Sequence, residues 1–296
     1  MNTAFLRPVS WAEALSLKAE RPEALPIAGG TDVMVELNFD RARPAALLDL
    51  TAIPELATWR ADDAAPGWIR IGAGMTYTRI IEELGTLFPG LAIAARTVGS
   101  PQIRGRGTIG GNLGSASPAG DLHPPLLASG SAEVWVESAR EGARPVPVGD
   151  FFTGPKTSVL RPDELIREVR IKAAGGSEQF AKIGTRNAMV IAVCSFALAL
   201  RPQDRAVGTG IGSAGPTPLR ASDAEEFLAA ELDWDGARPP DEGVARRFGE
   251  LVAAAASPID DVRGTAAYRR HALAVLARRT LTWAWNDYRG GARACA

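Results

Sequence analysis

Two glycine stretches in this 296-residue chain have the residue types and spacing to hold a ligand by its backbone. The first runs Ala28-Gly29-Gly30-Thr31-Asp32. The second runs Thr108-Ile109-Gly110-Gly111-Asn112 and continues through Gly114-Ser115-Ala116-Ser117-Pro118 to Asp121. Paired glycines let a backbone approach a ligand closely and point consecutive N–H groups one way. The first stretch follows Leu25-Pro26-Ile27 and precedes Val33-Met34-Val35-Glu36-Leu37, an order that predicts strand, tight turn, helix. Thr31 and Asp32 are the residue types that cap such a helix, and free N–H groups at a helix start attract phosphate. The second stretch has the same resources without an evident helix after it. Its Asn112 tolerates unusual backbone angles and offers both donors and acceptors. Either stretch alone reads equally well as an ordinary turn. Two in one chain, each with a polar residue beside paired glycines, favour two backbone cradles for one dinucleotide.

Other candidate chemistry is thin. Gly105-Arg106-Gly107-Thr108-Ile109-Gly110 matches G-x-G-x-x-G, but a proline-broken helix precedes it where a Rossmann site needs a strand. Gly208-Thr209-Gly210-Ile211-Gly212 has no following Gly-Lys-Ser/Thr and reads as a strand packed closely against another backbone. The two histidines, His123 and His271, give a Ser-His-Asp triad or a histidine metal site little to build on. His271 belongs on a solvated helix face. His123, just past the second stretch, reads as a turn residue or as a ligand neighbour. The two cysteines, Cys194 in an apolar strand and Cys295 at the C-terminus, form no CxxC or Cys/His cluster, so no zinc or iron–sulfur site is expected in this chain.

The elements that position these residues are read from pattern. A net charge of −1 argues against nucleic acid as the main partner, and 46% apolar content fits a folded chain of two domains. Residues 1–15 lack the apolar core of a signal peptide, and the longest apolar run, 188–200, is too short to span a bilayer, so no transmembrane segment and a cytoplasmic location are expected. Ser10 with Glu13 predicts a capped helix. Strands are expected at 46–50, 68–74, 132–137 and 165–171, with 144–148 as an edge strand marked by Pro145 and Pro147. Helices are expected at 78–84, 89–98 and 122–128. Gly175-Gly176-Ser177 is the best linker. Beyond it come strands at 178–184, 190–200 and 205–211, then helices at 221–230, 243–256 and 266–288. Ala272, Val275, Leu276 and Trp283 form the expected buried stripe of the last helix. The fold class is α+β, ending in an antiparallel sheet with a small helical bundle.

Taken together, A-G-G-T-D and, about eighty residues later, T-I-G-G-N-L-G-S-A-S-P-A-G-D resemble the FAD-binding subunit of molybdenum hydroxylases. That family includes the medium subunit of aerobic carbon monoxide dehydrogenase and the flavin domain of xanthine dehydrogenase. Gln102-Ile103-Arg104, Asp261-Val262-Arg263-Gly264, Tyr268-Arg269-Arg270 and Arg278-Arg279 fit it as well. The resemblance implies a two-part FAD-binding domain of the vanillyl-alcohol-oxidase type over residues 1–175 and a sheet-plus-helix domain over 176–296. It implies that Ile27, Ala28, Gly29, Gly30, Thr31, Asp32 and Val33 wrap the FAD pyrophosphate, and that Thr108, Gly110, Gly111 and Asn112 form a second wall. Ser115 and Asp121 would lie on the flavin side, Leu165 or Ile166 would give an apolar contact, and Lys182 would stand near the ring as a cation. By its residue type alone, Lys182 reads as an exposed strand lysine. Gly114 and Gly120 stand where relatives often carry bulkier residues, and the cysteine-bearing cluster loop of one branch of the family is missing.

The function implied by the resemblance is that of an electron-transfer subunit. Its partners would be a large subunit with a molybdopterin cofactor and a small subunit with [2Fe–2S] clusters, in a dimer of heterotrimers, with an external acceptor such as NAD, a quinone or oxygen. The alternative is a stand-alone flavin oxidase or reductase of the same fold, with Asp121 and Lys182 as its candidate acid or base. A third reading is a scaffold whose glycine loops no longer bind a nucleotide.

Overall fold

The computed structural model describes residues 3–294 except 174 and 237. The chain begins as a small parallel sheet of Ala4–Leu6 (β1), Leu25–Ile27 (β2) and Ala46–Asp49 (β3), in the order β1-β3-β2. Helix Trp11–Glu20 (α1) connects β1 to β2. Its N-cap Ser10 accepts from Glu13 N–H at 3.2 Å, and Glu13 reaches back to accept from Val9 N–H at 2.8 Å. The short helix Val33–Asn38 (α2) leads out of the first glycine stretch.

A second sheet comes next: Trp59–Ala61 (β4), Trp68–Gly72 (β5), Glu133–Ser138 (β6), Gly142–Pro147 (β7) and Leu165–Lys172 (β10) run antiparallel in the order β4-β5-β10-β6-β7. β7 is an edge, where Pro145 and Pro147 take no donor from the ladder. Between β5 and β6 lie helices Tyr77–Glu83 (α3), Pro89–Arg96 (α4), Pro101–Arg104 (α5), Ile109–Ser115 (α6) and His123–Ala128 (α7). Between β7 and β10 lie Val148–Phe151 (α8) and the hairpin Phe152–Gly154 (β8) with Thr157–Ser158 (β9).

The third sheet is Ser177–Ile183 (β11), Cys194–Arg201 (β12) and Ala206–Gly212 (β13), antiparallel in that order and covered by Ser222–Glu231 (α9), Glu242–Ala255 (α10) and Ala266–Ala294 (α11). The central strand β12 is buried on both faces and alternates by size. Cys194, Phe196, Leu198 and Leu200 enter the core shared with the helices, while Ala197 and Ala199 join the core of the N-terminal part. The small residues matter because α7 lies against this face. A Cβ on Gly208 would be 1.9 Å from the Ala128 carbonyl oxygen, and one on Gly210 would be 2.0 Å from that of Pro124. The glycine run of β13 is therefore a close backbone contact, as its sequence suggests, and it joins the two cores.

Several expectations need correction. The second glycine stretch is itself a helix, α6, capped by Thr108, whose hydroxyl accepts from Gly111 N–H at 3.0 Å. Glycine lowers helix propensity, but a capped turn held by tertiary contacts overrides it. The first stretch has no side-chain cap: Asp32 occupies the N-cap position of α2 without hydrogen-bonding into it. Strand β12 begins at Cys194, and 184–193 is a loop. On α11 the buried stripe is Ala272, Leu273, Leu276, Ala277, Leu281, Ala284 and Trp285; Trp283 is 43% exposed and Val275 is half-buried. A shift of the stripe at the C-terminal end exchanges Trp283 for Trp285. Arg269 is buried within this exposed-looking arginine cluster, while His271 faces solvent. Gly176 is pinned, since a Cβ there would meet the Leu200 carbonyl oxygen at 1.8 Å. Cys295 lies outside the described residues. Among the described residues no helix is long and apolar enough to cross a membrane.

Candidate functional site

The first glycine stretch leaves β2 and turns before α2, with Gly30 at φ +74°, a conformation that favours glycine. The N–H groups of Gly29, Gly30, Thr31, Asp32 and Val33 donate to no acceptor among the described residues; the first amide of this segment to be used is Met34 N–H, bonded to the Gly30 carbonyl at 3.0 Å. Five consecutive uncommitted donors in a turn that leads into a helix are available to an external acceptor.

The second stretch lies directly against the first. A Cβ on Gly29 would stand 2.0 Å from the Arg106 carbonyl oxygen and 2.9 Å from Gly107 N. The Gly105–Gly110 run is no Rossmann turn; it is the backbone on which the first stretch rests. The amides of its paired glycines and of Ile109 are committed: Ile109 N–H donates to Met75 O, Gly110 N–H to Ala73 O, and Gly111 N–H to the Thr108 hydroxyl. The paired glycines of the second wall therefore offer closeness instead of free donors. Asn112 Oδ1 is buried without a partner, and a Cβ on Gly114 would meet only Ile166 Cδ1, at 3.8 Å.

Both stretches line one cavity of about 1400 Å³. Of the residues singled out from sequence, Ile27, Ala28, Gly29, Gly30, Thr31, Asp32, Val33, Thr108, Gly110, Gly111, Asn112, Ser115, Leu165 and Ile166 all line it. Leu165 and Ile166 reach it from β10 just before a bulge at 166/168 in the pairing with β6. Asp121 and Lys182 do not line it. They form a buried ion pair at 2.6 Å. Burial pushes the Asp121 carboxyl up and the Lys182 ammonium opposes that. Lys182 is thus neither an exposed strand lysine nor an unpaired cation beside the cavity.

Sequence reasoning missed several lining residues. Tyr77, Ala73 and Thr76 come from the start of α3 and the turn before it. Lys156 comes from the hairpin loop and pairs with Glu36 at 3.0 Å. Ile191, Ala192, Ser213, Asp261, Arg263 and Arg269 come from the C-terminal part. Only the family-like run around Asp261 and Arg269 carried a local signal. The Arg269 guanidinium donates to Val193 O at 2.7 Å, Ser213 O at 2.6 Å and Asp261 Oδ1 at 2.6 Å, so it clamps α11 to the strand ends at the cavity. Burial raises the Tyr77 phenol, and Asp32 and Asp121 add to the shift. His123 is fully buried behind the second wall, its Nε2 3.1 Å from the Asn112 carbonyl, and burial pushes its pKa down to about 4. It stands neutral behind the wall as part of the packing.

Comparison with known proteins decides what this cavity belongs to. Residues 1–172 match the FAD-binding domain of molybdopterin dehydrogenases, and residues 179–284 match the C-terminal domain of carbon monoxide dehydrogenase flavoproteins. The chain is an FAD-binding subunit of the molybdenum hydroxylase family. Among its relatives is a putative xanthine dehydrogenase FAD-binding subunit of Escherichia coli K12, 33% identical over 75% of this chain and 78% of the relative. The FAD subunit of nicotinate dehydrogenase from Eubacterium barkeri is 35% identical over 76% and 78%. The structure of carbon monoxide dehydrogenase from Hydrogenophaga pseudoflava superposes with a TM-score of 0.84 at 27% identity, covering 96% of this chain and 98% of that one. This flavoprotein subunit is an oxidoreductase component with the α+β fold expected from its sequence, and its cofactor is FAD.

Proposed function

We propose that this subunit carries electrons inside a molybdenum hydroxylase. It receives them from [2Fe–2S] clusters of a small partner, after a substrate is oxidised at a molybdopterin cofactor of a large partner, and passes them to an external acceptor such as NAD, a quinone or oxygen. Bound FAD supplies the reversible one- and two-electron chemistry that this role needs. The observation that carries the reading is the run of five uncommitted N–H groups from Gly29 to Val33 at one wall of a cavity large enough for a dinucleotide. These amides would hold the pyrophosphate. Asn112 and Ser115 would supply polar contacts from the second wall, where Thr108, Gly110 and Gly111 shape the surface. Leu165 and Ile166 would pack against the cofactor's apolar part. We place the division between the FAD-binding domain, 1–175, and the C-terminal domain, 176–296, at the turn before β11. The assembly would be a dimer of heterotrimers.

The test has two steps. The purified chain is expected to show a flavin absorption band and to release FAD, identified by chromatography; a chain that stays colourless after incubation with FAD refutes the site. The flavin is then expected to be reduced by the reduced [2Fe–2S] partner and not by organic substrate added to the isolated chain. Turnover of such a substrate by the isolated chain refutes the electron-transfer role.

A further inference from the structure

We infer that Lys182 is a positioning residue: with Asp121 it forms a strut that sets the cavity wall at Ile191, and it does not act on the flavin as a free cation. The inference rests on FAD occupying the cavity. An ammonium has three donor hydrogens, and Lys182 has an acceptor for each. Its Nζ lies 2.6 Å from Asp121 Oδ2, 2.9 Å from the Thr97 carbonyl and 3.1 Å from the Val190 carbonyl. The side chains of the pair are 8% and 9% exposed. Turning Nζ toward the cavity would break all three bonds and leave Asp121 buried and unpaired, the costliest arrangement of such a pair.

The three acceptors belong to three separate segments. Thr97 ends α4, Asp121 closes the second glycine stretch, and Val190 lies in the 184–193 loop between β11 and β12. That loop is fixed at its base by Val193 N–H donating to Ile183 O at 2.7 Å. Near its tip, Arg186 Nε lies 3.1 Å from the Ala188 carbonyl and 3.2 Å from the Met189 carbonyl. Between the two, Gly184 lies against Val190 so closely that a Cβ would be 2.1 Å from Val190 Cγ1. Through Lys182, the Val190 carbonyl of this loop is tied to Thr97 and Asp121 in the body that bears the glycine stretches. The next residue, Ile191, is 54% exposed and lines the cavity. Lys182 does not itself line the cavity; it meets the wall through Val190 and Ile191.

The test compares Lys182→Met with the double variant Asp121→Asn/Lys182→Met. The double variant leaves no uncompensated charge and is expected to fold even if the single one does not. Two quantities are read: the midpoint potential of the FAD-loaded chain, and the rate of tryptic cleavage at the exposed Arg186. Cleavage is expected to rise roughly ten-fold or more in the double variant, because a charge-assisted tie on the loop is lost. Its flavin potential is expected to match that of the unmodified chain. A shifted potential in the double variant overturns the inference, as does cleavage at the unmodified rate. Cleavage needs no flavin, so failure of the FAD site itself is recognised separately, by an unmodified chain that takes up no FAD.

Discussion

Replacing Gly29 with alanine tests the contact on which the site is built. The added Cβ would lie 2.0 Å from the Arg106 carbonyl oxygen, 2.5 Å from its carbon and 2.9 Å from Gly107 N. All three are backbone atoms, so no flexible side chain can swing away. Ordinary contact begins near 3.4 Å, which requires the two stretches to part by about 1.4 Å. Overpacking of this kind costs about 1–3 kcal/mol. Displacement of the donors from the second wall lowers FAD affinity by a similar amount, roughly 5- to 150-fold. The two effects are read separately: stability by urea denaturation of the FAD-free chain, and affinity by flavin fluorescence titration. Gly114→Ala is the matched control, because its methyl group would find only Ile166 Cδ1, at 3.8 Å, and alanine is favoured inside α6. It is expected to stabilise the FAD-free chain by about 0.5–1 kcal/mol. A Gly29→Ala chain with unchanged stability and FAD affinity within two-fold of the unmodified chain would refute the argument that backbone closeness joins the two stretches.

Three further outcomes are expected. Arg269→Met removes the donors of Val193 O, Ser213 O and Asp261 and should lower stability by about 3 kcal/mol or more, measured by chemical denaturation. Glu178, whose carboxylate accepts from Gly90 N–H at 3.1 Å, has its pKa pushed up by burial to about 7, so the folded chain holds its proton where the unfolded chain has released it. Stability from this group falls as pH rises from about 4.5 to 7; Glu178→Gln should gain on the unmodified chain across that window by at most about 3 kcal/mol, and a pH-independent difference would sink the assignment. Burial pushes the Cys194 thiol up to about 12, so peptide mass spectrometry should find it unlabelled by thiol reagents until the chain unfolds.

Much of the molecule was legible in the residues themselves. Elements with a strong local signal stand where expected, from the Ser10–Glu13 cap to the alternating β6 and the edge strand β7. Fourteen of the sixteen residues proposed for the site line one cavity. Misreadings arose where local preference and tertiary context disagree. Asn112 and its glycines look like a loop because glycine is a poor helix former; the Thr108 cap and the carbonyls of Ala73 and Met75 make them a helix. Trp283 and Trp285 are both large and apolar, and packing of α11 on its neighbours selects Trp285.

The sequence alone determined which segments could hold a dinucleotide: paired glycines fix where a backbone can turn and come close, a property of the residues and their neighbours. It also suggested the family, through the resemblance carried by the two motifs at this spacing, which the match of residues 1–172 to the FAD-binding domain bears out. Tertiary structure decided what the motifs offer. The amides from Gly29 to Val33 stay free because no acceptor among the described residues is placed to meet them, whereas Ile109 and Gly110 spend theirs on carbonyls of a turn more than thirty residues earlier. It also decided the charge of the site. Lys182 stands 61 positions from Asp121, and only the packing of β11 against α4 and α7 brings them to 2.6 Å. A charge's partner is a matter of distance in space, which local sequence does not encode.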